Sequence, residues 1–212
     1  MKTRKHLLTV MLLLYCSLWV GAQSNFGEFR WGFKGGINFA SMNNLGNIEK
    51  DKNKVGFVGG GFLKIPLKIS RKLFVSVRPE LLFNMKGASL NLPKELMPGT
   101  DIYSFALNYV ELPVSLDFDL PFFLDIHAGV QGAFLVSKRL KVNDVKFDDN
   151  GEFKDTEFGW HIGTGIDLGN IGIHVRFHQS FDTFYTGFLY GNGDIGARNW
   201  GVSLTGSYMF VN

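Results

Sequence analysis

Three histidines fall on one face of a predicted hairpin and could bind a metal or take part in catalysis. His161, His174 and His178 alternate with apolar residues between positions 156 and 182, and His127 lies on the preceding predicted strand. Imidazole nitrogens at such spacing could bind zinc. With Ser180 nearby, a histidine could instead serve as the base of an acyl-transfer enzyme. Because arginine and aspartate share this face, the sequence favours a third interpretation, a structural hydrogen-bond network.

A second chemical candidate is the pair of carboxylates Glu80 and Glu111, which could act as a general acid and base. Arg78 lies on the same strand face as Glu80, so an ion-pair cluster is the favoured interpretation. We therefore predict no catalytic residue, no bound metal and no cofactor. The predicted polar network comprises Lys34, Arg78, Glu80, Glu111, Asp125, His127, His161, Asp167, His174, Arg176 and His178.

These side chains must be positioned by strands, because the sequence around them alternates with period two. Between 156 and 182, bulky apolar residues occupy every second position and small or polar residues occupy the others, as in a strand with two unlike faces. Gly169 suits the first central position of a type II′ turn. If Leu168 pairs with Ile171, then His161 lies opposite His178.

The same alternation recurs along the chain and predicts about eight strands. The links between them are alternately long and short, and the long links are predicted at 41–54, 87–103, 137–155 and 183–197. An even strand count with all long loops at one end is typical of outer-membrane β-barrels. The predicted fold is all-β, an eight-stranded antiparallel up-and-down transmembrane barrel.

The amino-terminal segment predicts export. Lys2, Arg4 and Lys5 precede an apolar run of about 14 residues, shorter than the roughly 20 that a spanning helix needs. We predict a cleavable signal peptide at residues 1–22 and a barrel domain at residues 23–212; an uncleaved membrane anchor is the alternative. The single cysteine lies in the leader, so the mature chain is predicted to have no disulfide or thiol nucleophile.

The orientation of the faces follows from volume and charge. Eight strands enclose a tube that side chains fill, so the face rich in Gly, Ser and Asn fits inside better than the face rich in Trp, Phe and Ile. Charges such as Arg78 and Arg176 would each cost roughly 2–4 kcal/mol against lipid near the midplane. Inside, we expect Arg78 near Glu111, and Arg176 near Asp167. The apolar face is therefore predicted to point to lipid.

Several segments resemble the outer-membrane β-barrel family common in Bacteroidetes and often labelled PorT-like. They are the first strand at 32–39, the segments Arg78-Pro79-Glu80-Leu81-Leu82 and Lys86-Gly87, and the segment Tyr109-Val110-Glu111-Leu112-Pro113-Val114. The resemblance extends across the mature chain and implies a barrel in the outer membrane with both termini periplasmic. One namesake is similar to components needed for protein secretion to the cell surface. This chain ends in Asn212 rather than in the family's terminal aromatic residue.

The last long loop is the predicted contact surface. Its aromatic residues Phe184, Tyr185, Phe188 and Tyr190 could touch a partner or a surface polymer, or the loop could instead fold over the barrel mouth. Net charge is +3 but the basic residues are scattered, which excludes a nucleic-acid stripe. The predicted partners are outer-membrane lipid, the barrel-assembly machinery and an envelope or secretion-complex protein.

The predicted function is non-enzymatic. A barrel with a polar, largely filled lumen suits an envelope-structural role, a surface-assembly or secretion-accessory role, or a narrow pore. One alternative is an outer-membrane lipid-modifying enzyme that uses the histidines and Ser180. Another is a soluble lipocalin-like carrier of an apolar ligand, because such a barrel also alternates.

Overall fold

The structure is a computed structural model that describes residues 29–43, 50–68, 74–91, 102–120, 123–142, 145–147, 154–182, 185–187 and 195–211. The predicted signal peptide lies outside these residues. So do Phe184, Phe188 and Tyr190 of the predicted contact loop, and Tyr185 is described by its backbone alone. No helix in the described ranges is long and apolar enough to cross a membrane.

The alternating segments form strands. In chain order they are β1 (Arg30–Asn43), β2 (Lys50–Lys68), β3 (Phe74–Asn91), β4 (Ile102–Asp119), β5 (Leu124–Val142), β6 (Val145–Phe147), β7 (Thr156–Leu168), β8 (Ile171–Ser180), β9 (Tyr185–Gly187) and β10 (Ile195–Val211). Eight of them are long. The short strands β6 and β9 pair only with β5 and β10 respectively.

The eight long strands close on themselves. They pair antiparallel in the order β1-β2-β3-β4-β5-β7-β8-β10, and β10 returns to β1 in a register that runs from Arg30 opposite Val211 to Asn43 opposite Arg198. Closure leaves no open edge in this ring, as a sheet in lipid requires. The predicted eight-stranded antiparallel barrel is confirmed.

The β7–β8 hairpin has the predicted register. Leu168 pairs with Ile171, and His161 lies opposite His178. Gly169 has φ +62°, the conformation that the first central position of a type II′ turn requires. This two-residue turn fixes which side chains of the two strands face each other.

One end of the barrel carries short connections. Residues 69–73, 120–123 and 169–170 link consecutive long strands at the same end as Arg30 and Val211, and we call this the short-turn end. The opposite, long-loop end differs from prediction, because β3 continues to Asn91 and β5 to Val142. The predicted loops at 87–103 and 137–155 were therefore too long. Ladder pairing extends the strands where side-chain alternation has faded, as between Gly87 and Ala106.

The apolar face points outward, as predicted. Phe33, Val130, Phe158 and Ile173 are exposed on the outer surface, whereas Glu80 and the other charged residues of the alternate positions are buried within the barrel. Apolar side chains also contribute to the filling of the interior. They are Val58, Phe62, Leu82, Leu107, Tyr109 and Met209.

Aromatic side chains gather in two belts on the outer surface. At the short-turn end Trp31 stacks on Phe210, with ring centroids 4.4 Å apart. Towards the long-loop end Phe177 lies 5.5 Å from Trp160 and 6.1 Å from Trp200. The belts are about ten strand residues apart, which for tilted strands is roughly 25 Å, the height of an outer-membrane barrel's apolar band.

Candidate functional site in the barrel interior

At mid-height a buried carboxylate is held by two cations. Glu80 accepts hydrogen bonds at 2.8 and 3.0 Å from Lys34 Nζ, and at 2.8 Å from both Nη1 and Nη2 of Arg176. The Glu80 side chain is 0% exposed and that of Arg176 only 8%. A bidentate arginine–carboxylate pair is the most directional ion pair available to a protein, so this contact fixes both side chains.

A second group of charges lies next to this pair, nearer the short-turn end. Arg78 forms ion pairs with Asp117 and with Asp125, the latter at 3.2 Å. Asp125 Oδ1 lies 2.7 Å from His127 Nδ1, and Arg176 Nε donates to His127 Nε2 at 3.3 Å. The imidazole thus has a carboxylate on one nitrogen and a guanidinium on the other, which favours the neutral tautomer protonated at Nδ1.

At the short-turn end Lys64 bridges two carboxylates. Its Nζ lies 2.6 Å from Asp119 and 3.4 Å from Asp167. His174 lies between Asp167, 3.1 Å from its Nε2, and Asp125, 3.4 Å from its Nδ1. Because His174 contacts both Asp167 and Asp125, the group around Lys64 is continuous with the group around Arg78.

At the long-loop end Lys86 likewise lies between two carboxylates. Its Nζ lies 2.7 Å from Glu111 and 3.3 Å from Glu157, and 4.9 Å from the centre of the Tyr109 ring. Asn199 donates to Glu157 at 2.8 Å and lies 3.5 Å from the Tyr109 hydroxyl. Charged and aromatic side chains thus occupy the interior at this level.

Contacts at three levels cross the full width of the barrel. Strands four steps apart in a ring of eight are diametrically opposite, and this is the relation of β2 to β7, of β3 to β8 and of β4 to β10. We call the three contacts the cross-lumen bridges: Lys64–Asp167, Glu80–Arg176 and Tyr109–Asn199. They lie at the short-turn end, at mid-height and at the long-loop end respectively.

The histidines pack against glycines of neighbouring strands. A Cβ at Gly163 would overlap His127, and a Cβ at Gly165 would overlap His174. Each imidazole therefore fills a hole left by a missing side chain. This packing places His127 centrally among the four histidine rings of the interior, 5.9 Å from the ring of His174 and 6.4 Å from that of His161.

Comparison with known proteins identifies the family. A family model described as outer membrane protein beta-barrel domain matches residues 21–191. The chain belongs to this family. The protein is therefore an outer-membrane β-barrel. No curated protein sequence matches it.

Solved structures similar to this outer-membrane barrel have the same architecture but little sequence in common. Ail, the attachment invasion locus protein of Yersinia pestis, is 10% identical over 86% of this chain and 99% of its own, with TM-score 0.44. Neisserial surface protein A is 15% identical over 86% and 97%, with TM-score 0.42. OprG from Pseudomonas aeruginosa is 9% identical over 88% and 98%, with TM-score 0.45. Any functional statement must therefore come from this chain's own residues.

Among the described residues, one set of interior side chains has the composition of a metal site. Ligand atoms of Asp125, His127 and His174 all lie within 4.8 Å of one another. To bind a cation, however, His127 would have to give up either its hydrogen bond to Asp125 or the one it accepts from Arg176, and the ion would lie close to Arg78 and Arg176. The arrangement therefore fits an ion-pair network better than a metal centre.

In the acyl-transfer alternative, a histidine would act as the base for Ser180, but Ser180 donates elsewhere. Ser180 Oγ lies 3.2 Å from the carbonyl oxygen of Phe158 and 3.0 Å from that of Asp182, so backbone acceptors hold its single proton. His178 Nε2 has no hydrogen-bond partner among the described residues. Among the described residues, no hydrogen bond joins the Ser180 hydroxyl to an imidazole.

All eleven residues of the predicted network lie inside the barrel, but two predicted pairs are wrong. Arg78 pairs with Asp117 and Asp125 rather than with Glu111, and Arg176 pairs with Glu80 rather than with Asp167. Arg176 reaches across the narrow tube to β3, whereas Arg78 does pair with the next strand, but at Asp117, because its register partner on β4 is Ser115 and not Glu111. Ten of the eleven are buried, and Asp167 at the short-turn end is half-buried.

Sequence reasoning missed several members of the interior network. They are Lys64, Lys86, Tyr109, Glu157 and Asn199. The signal was available, because each of these positions alternates with outward apolar residues. Lys64 lies between Leu63 and Ile65, and Glu157 shares the parity of His161. Strand parity alone would have placed them inside.

Proposed function

We propose that this outer-membrane barrel is a non-enzymatic, non-conducting scaffold that holds its long-loop end at the membrane surface. It would serve an envelope-structural, surface-assembly or secretion-accessory role. The observation that carries this proposal is the set of three cross-lumen bridges, one at each level of the interior. A channel would have to pass all three.

The two ionic bridges, Lys64–Asp167 and Glu80–Arg176, are costly to open. Removing one partner of a buried ion pair typically costs about 3–5 kcal/mol, because the remaining charge is left unpaired in a medium that solvates it poorly. Glu80 has its carboxylate shared between Lys34 and Arg176, so separating either cation leaves an incomplete set. Spontaneous opening of a water path would therefore be rare.

We also propose that both termini are periplasmic and that the long-loop end faces outward. The start of β1 and the end of β10 lie at the short-turn end, and outer-membrane barrels have short turns on the periplasmic side. In this orientation the segment containing Phe184, Tyr185, Phe188 and Tyr190 would be at the cell surface, available to an envelope or secretion-complex protein. The outer surface would contact outer-membrane lipid, after insertion by the barrel-assembly machinery.

Conductance in planar bilayers tests the closed interior. We expect the wild-type mature protein to give no current steps above background. The matched variant Glu80→Ala/Arg176→Ala lacks the middle bridge and should give more frequent steps. Folding of both proteins is checked by the mobility shift on gels run with and without boiling. Regular steps from the wild type would overturn the scaffold proposal in favour of a narrow pore.

The enzymatic alternative predicts a different outcome. If His174, His178 and Ser180 modified lipid, their replacement by alanine would change the lipid A profile of cells that express the protein. We expect an unchanged profile, because the Ser180 hydroxyl is bound by backbone carbonyls. The lipocalin-like alternative predicts a protein that stays in solution without detergent, whereas we expect it to fractionate with membranes.

A further inference from the structure

The outer wall contains a slot between strands β1, β2 and β3. It has a volume of about 340 Å³, which is the lower range of ligand pockets, roughly 300–1,000 Å³. Its floor is at Gly61 and Pro79, and its sides are formed by Trp31, Phe33, Leu63 and Leu81. The four side chains that form its sides all lie exposed on the outer, apolar face.

A missing side chain creates the slot. A Cβ added at Gly61 would come no closer than 3.7 Å to any described atom, with the Gly32 carbonyl oxygen at that distance and the Phe33 ring beside it at 3.9 Å, so no described side chain overlaps this position. The neighbouring outward glycine, Gly59, is different because the Phe57 ring lies over it. The outer face is thus filled at Gly59 and open at Gly61.

Two prolines lie where the ladders of β3 are interrupted, and one of them, Pro79, lines the slot. Proline has no N–H for a ladder hydrogen bond. The β2–β3 pairing passes from Phe62–Glu80 to Ile65–Val77, so Leu63 and Pro79 are skipped. The β3–β4 pairing likewise skips Pro113, opposite Glu80. Within the described strands, β3 is therefore incompletely paired on both sides at the level of the slot.

We propose that this slot binds one acyl chain of a phospholipid from the membrane leaflet at the short-turn end. The inference rests on the proposed membrane orientation only for the identity of that leaflet. The slot is continuous with the apolar outer surface of an outer-membrane barrel, and its exposed lining is almost entirely hydrocarbon. Trp31 belongs to the aromatic belt at that end and also lines the slot.

This position suits a lipid rather than a soluble ligand. Tryptophan rings at a membrane interface lie at the level of the head groups. A lipid with its head group beside Trp31 would therefore direct its chain past Phe33 toward Gly61 and Leu81. The chain would replace the side chain that Gly61 lacks, and would restore contacts that an unfilled groove forfeits.

Fluorescence quenching tests the proposal with two reporters in the same barrel. The mature protein is prepared with Trp31 as its single tryptophan (Trp160→Phe/Trp200→Phe), or with Trp160 alone (Trp31→Phe/Trp200→Phe). Phosphatidylcholine with brominated acyl chains is added stepwise to each protein in detergent micelles. We expect Trp31 to be half-quenched at a roughly tenfold lower lipid fraction than Trp160.

Two glycine variants separate a site from ordinary lipid contact. Gly61→Leu places a side chain in the slot, with its Cβ no closer than 3.7 Å to the backbone, and should abolish the advantage of Trp31. Gly206→Leu is the matched control, because Gly206 also faces outward and its Cβ would meet nothing closer than 4.0 Å. It should leave the advantage unchanged.

The outcomes are distinguishable from failure of the barrel itself. Equal half-quenching fractions for Trp31 and Trp160 would overturn the slot proposal, as would an advantage that survives Gly61→Leu. A protein that did not insert into micelles would instead show neither reporter quenched and no mobility shift on unboiled gels. That result would overturn the proposed membrane scaffold as well.

Discussion

The β7–β8 hairpin and the paired strands β2 and β3, which we call the β2–β3 wall, carry glycines that face opposite sides of the barrel. In the hairpin Gly163 and Gly165 face inward, and histidine rings fill the space beside them. In the wall Gly61 faces outward and its space is unfilled, while a proline interrupts the ladder beside it. A missing side chain therefore stabilises the packing of the interior in one region and creates a binding surface in the other. The face on which a glycine lies decides its consequence.

The largest effect is expected from the interior. Arg176→Ala removes the bidentate partner of Glu80 and should lower the free energy of unfolding by about 3–5 kcal/mol, because a buried carboxylate is left underpaired. Urea unfolding in liposomes, followed by tryptophan fluorescence, measures the change.

The matched control for this change is Arg139→Ala, at an exposed position on β5 near the long-loop end. It should change stability by no more than about 0.5 kcal/mol. Equal effects of the two substitutions would show that the middle bridge adds nothing to stability.

An intermediate effect is expected from the inward glycine. Gly163→Ala should destabilise the barrel by about 1–3 kcal/mol, because the added methyl overlaps His127 and the Val175 carbonyl oxygen. The double variant Gly163→Ala/His127→Ala should be less destabilised than the sum of the two single variants.

Substitution of the outward glycine, Gly61, is expected to change stability in the opposite direction. Gly61→Ala should be neutral or stabilising by roughly 0.5–1 kcal/mol, because the added methyl meets no close atom and alanine loses less backbone freedom on folding. The same unfolding assay applies. If Gly61→Ala lowered the free energy of unfolding as much as Gly163→Ala, the outward and inward glycines would not differ in the way we propose.

A second stabilising effect of similar size is expected from the proline of the wall. Pro79→Val supplies an N–H opposite Leu63 and should stabilise by about 1 kcal/mol, the net value of one hydrogen bond. Amide exchange measured by mass spectrometry should slow in peptides from β2 and β3 and remain unchanged in β7. Unchanged exchange throughout would mean that the proline does not weaken this part of the ladder.

Sequence determined the hairpin and the faces, but not the partners across the interior. Period-two alternation with the Gly169-Asn170 turn sufficed to place His161 opposite His178. Alternation indicates the face of the sheet on which a side chain lies. It does not give the position of that side chain along the barrel axis, which depends on the stagger between all eight strands. The pair of Arg176 with Glu80 depends on that stagger, so neighbouring-strand reasoning selected Asp167 instead.

The slot likewise could not be predicted from the sequence. The triplet at 59–61 and Pro79 are visible in the sequence, but whether a ring covers a glycine depends on the rotamers of residues on other strands. Phe57 covers Gly59, while Phe33 leaves Gly61 open. Neither fact follows from spacing along the chain.

The cross-lumen bridges also constrain how the protein can assemble. Their partners are 103, 96 and 90 residues apart, and in each case the second partner belongs to the last three long strands. Until those strands arrive, Lys64 and Glu80 lack the opposing groups that they meet in the finished molecule. A half-built intermediate would have the pairs Lys34–Glu80 and Lys64–Asp119 but not their cross-lumen partners, so its ion-pair sets would be incomplete in a nonpolar medium and insertion and closure should occur together as a single cooperative event.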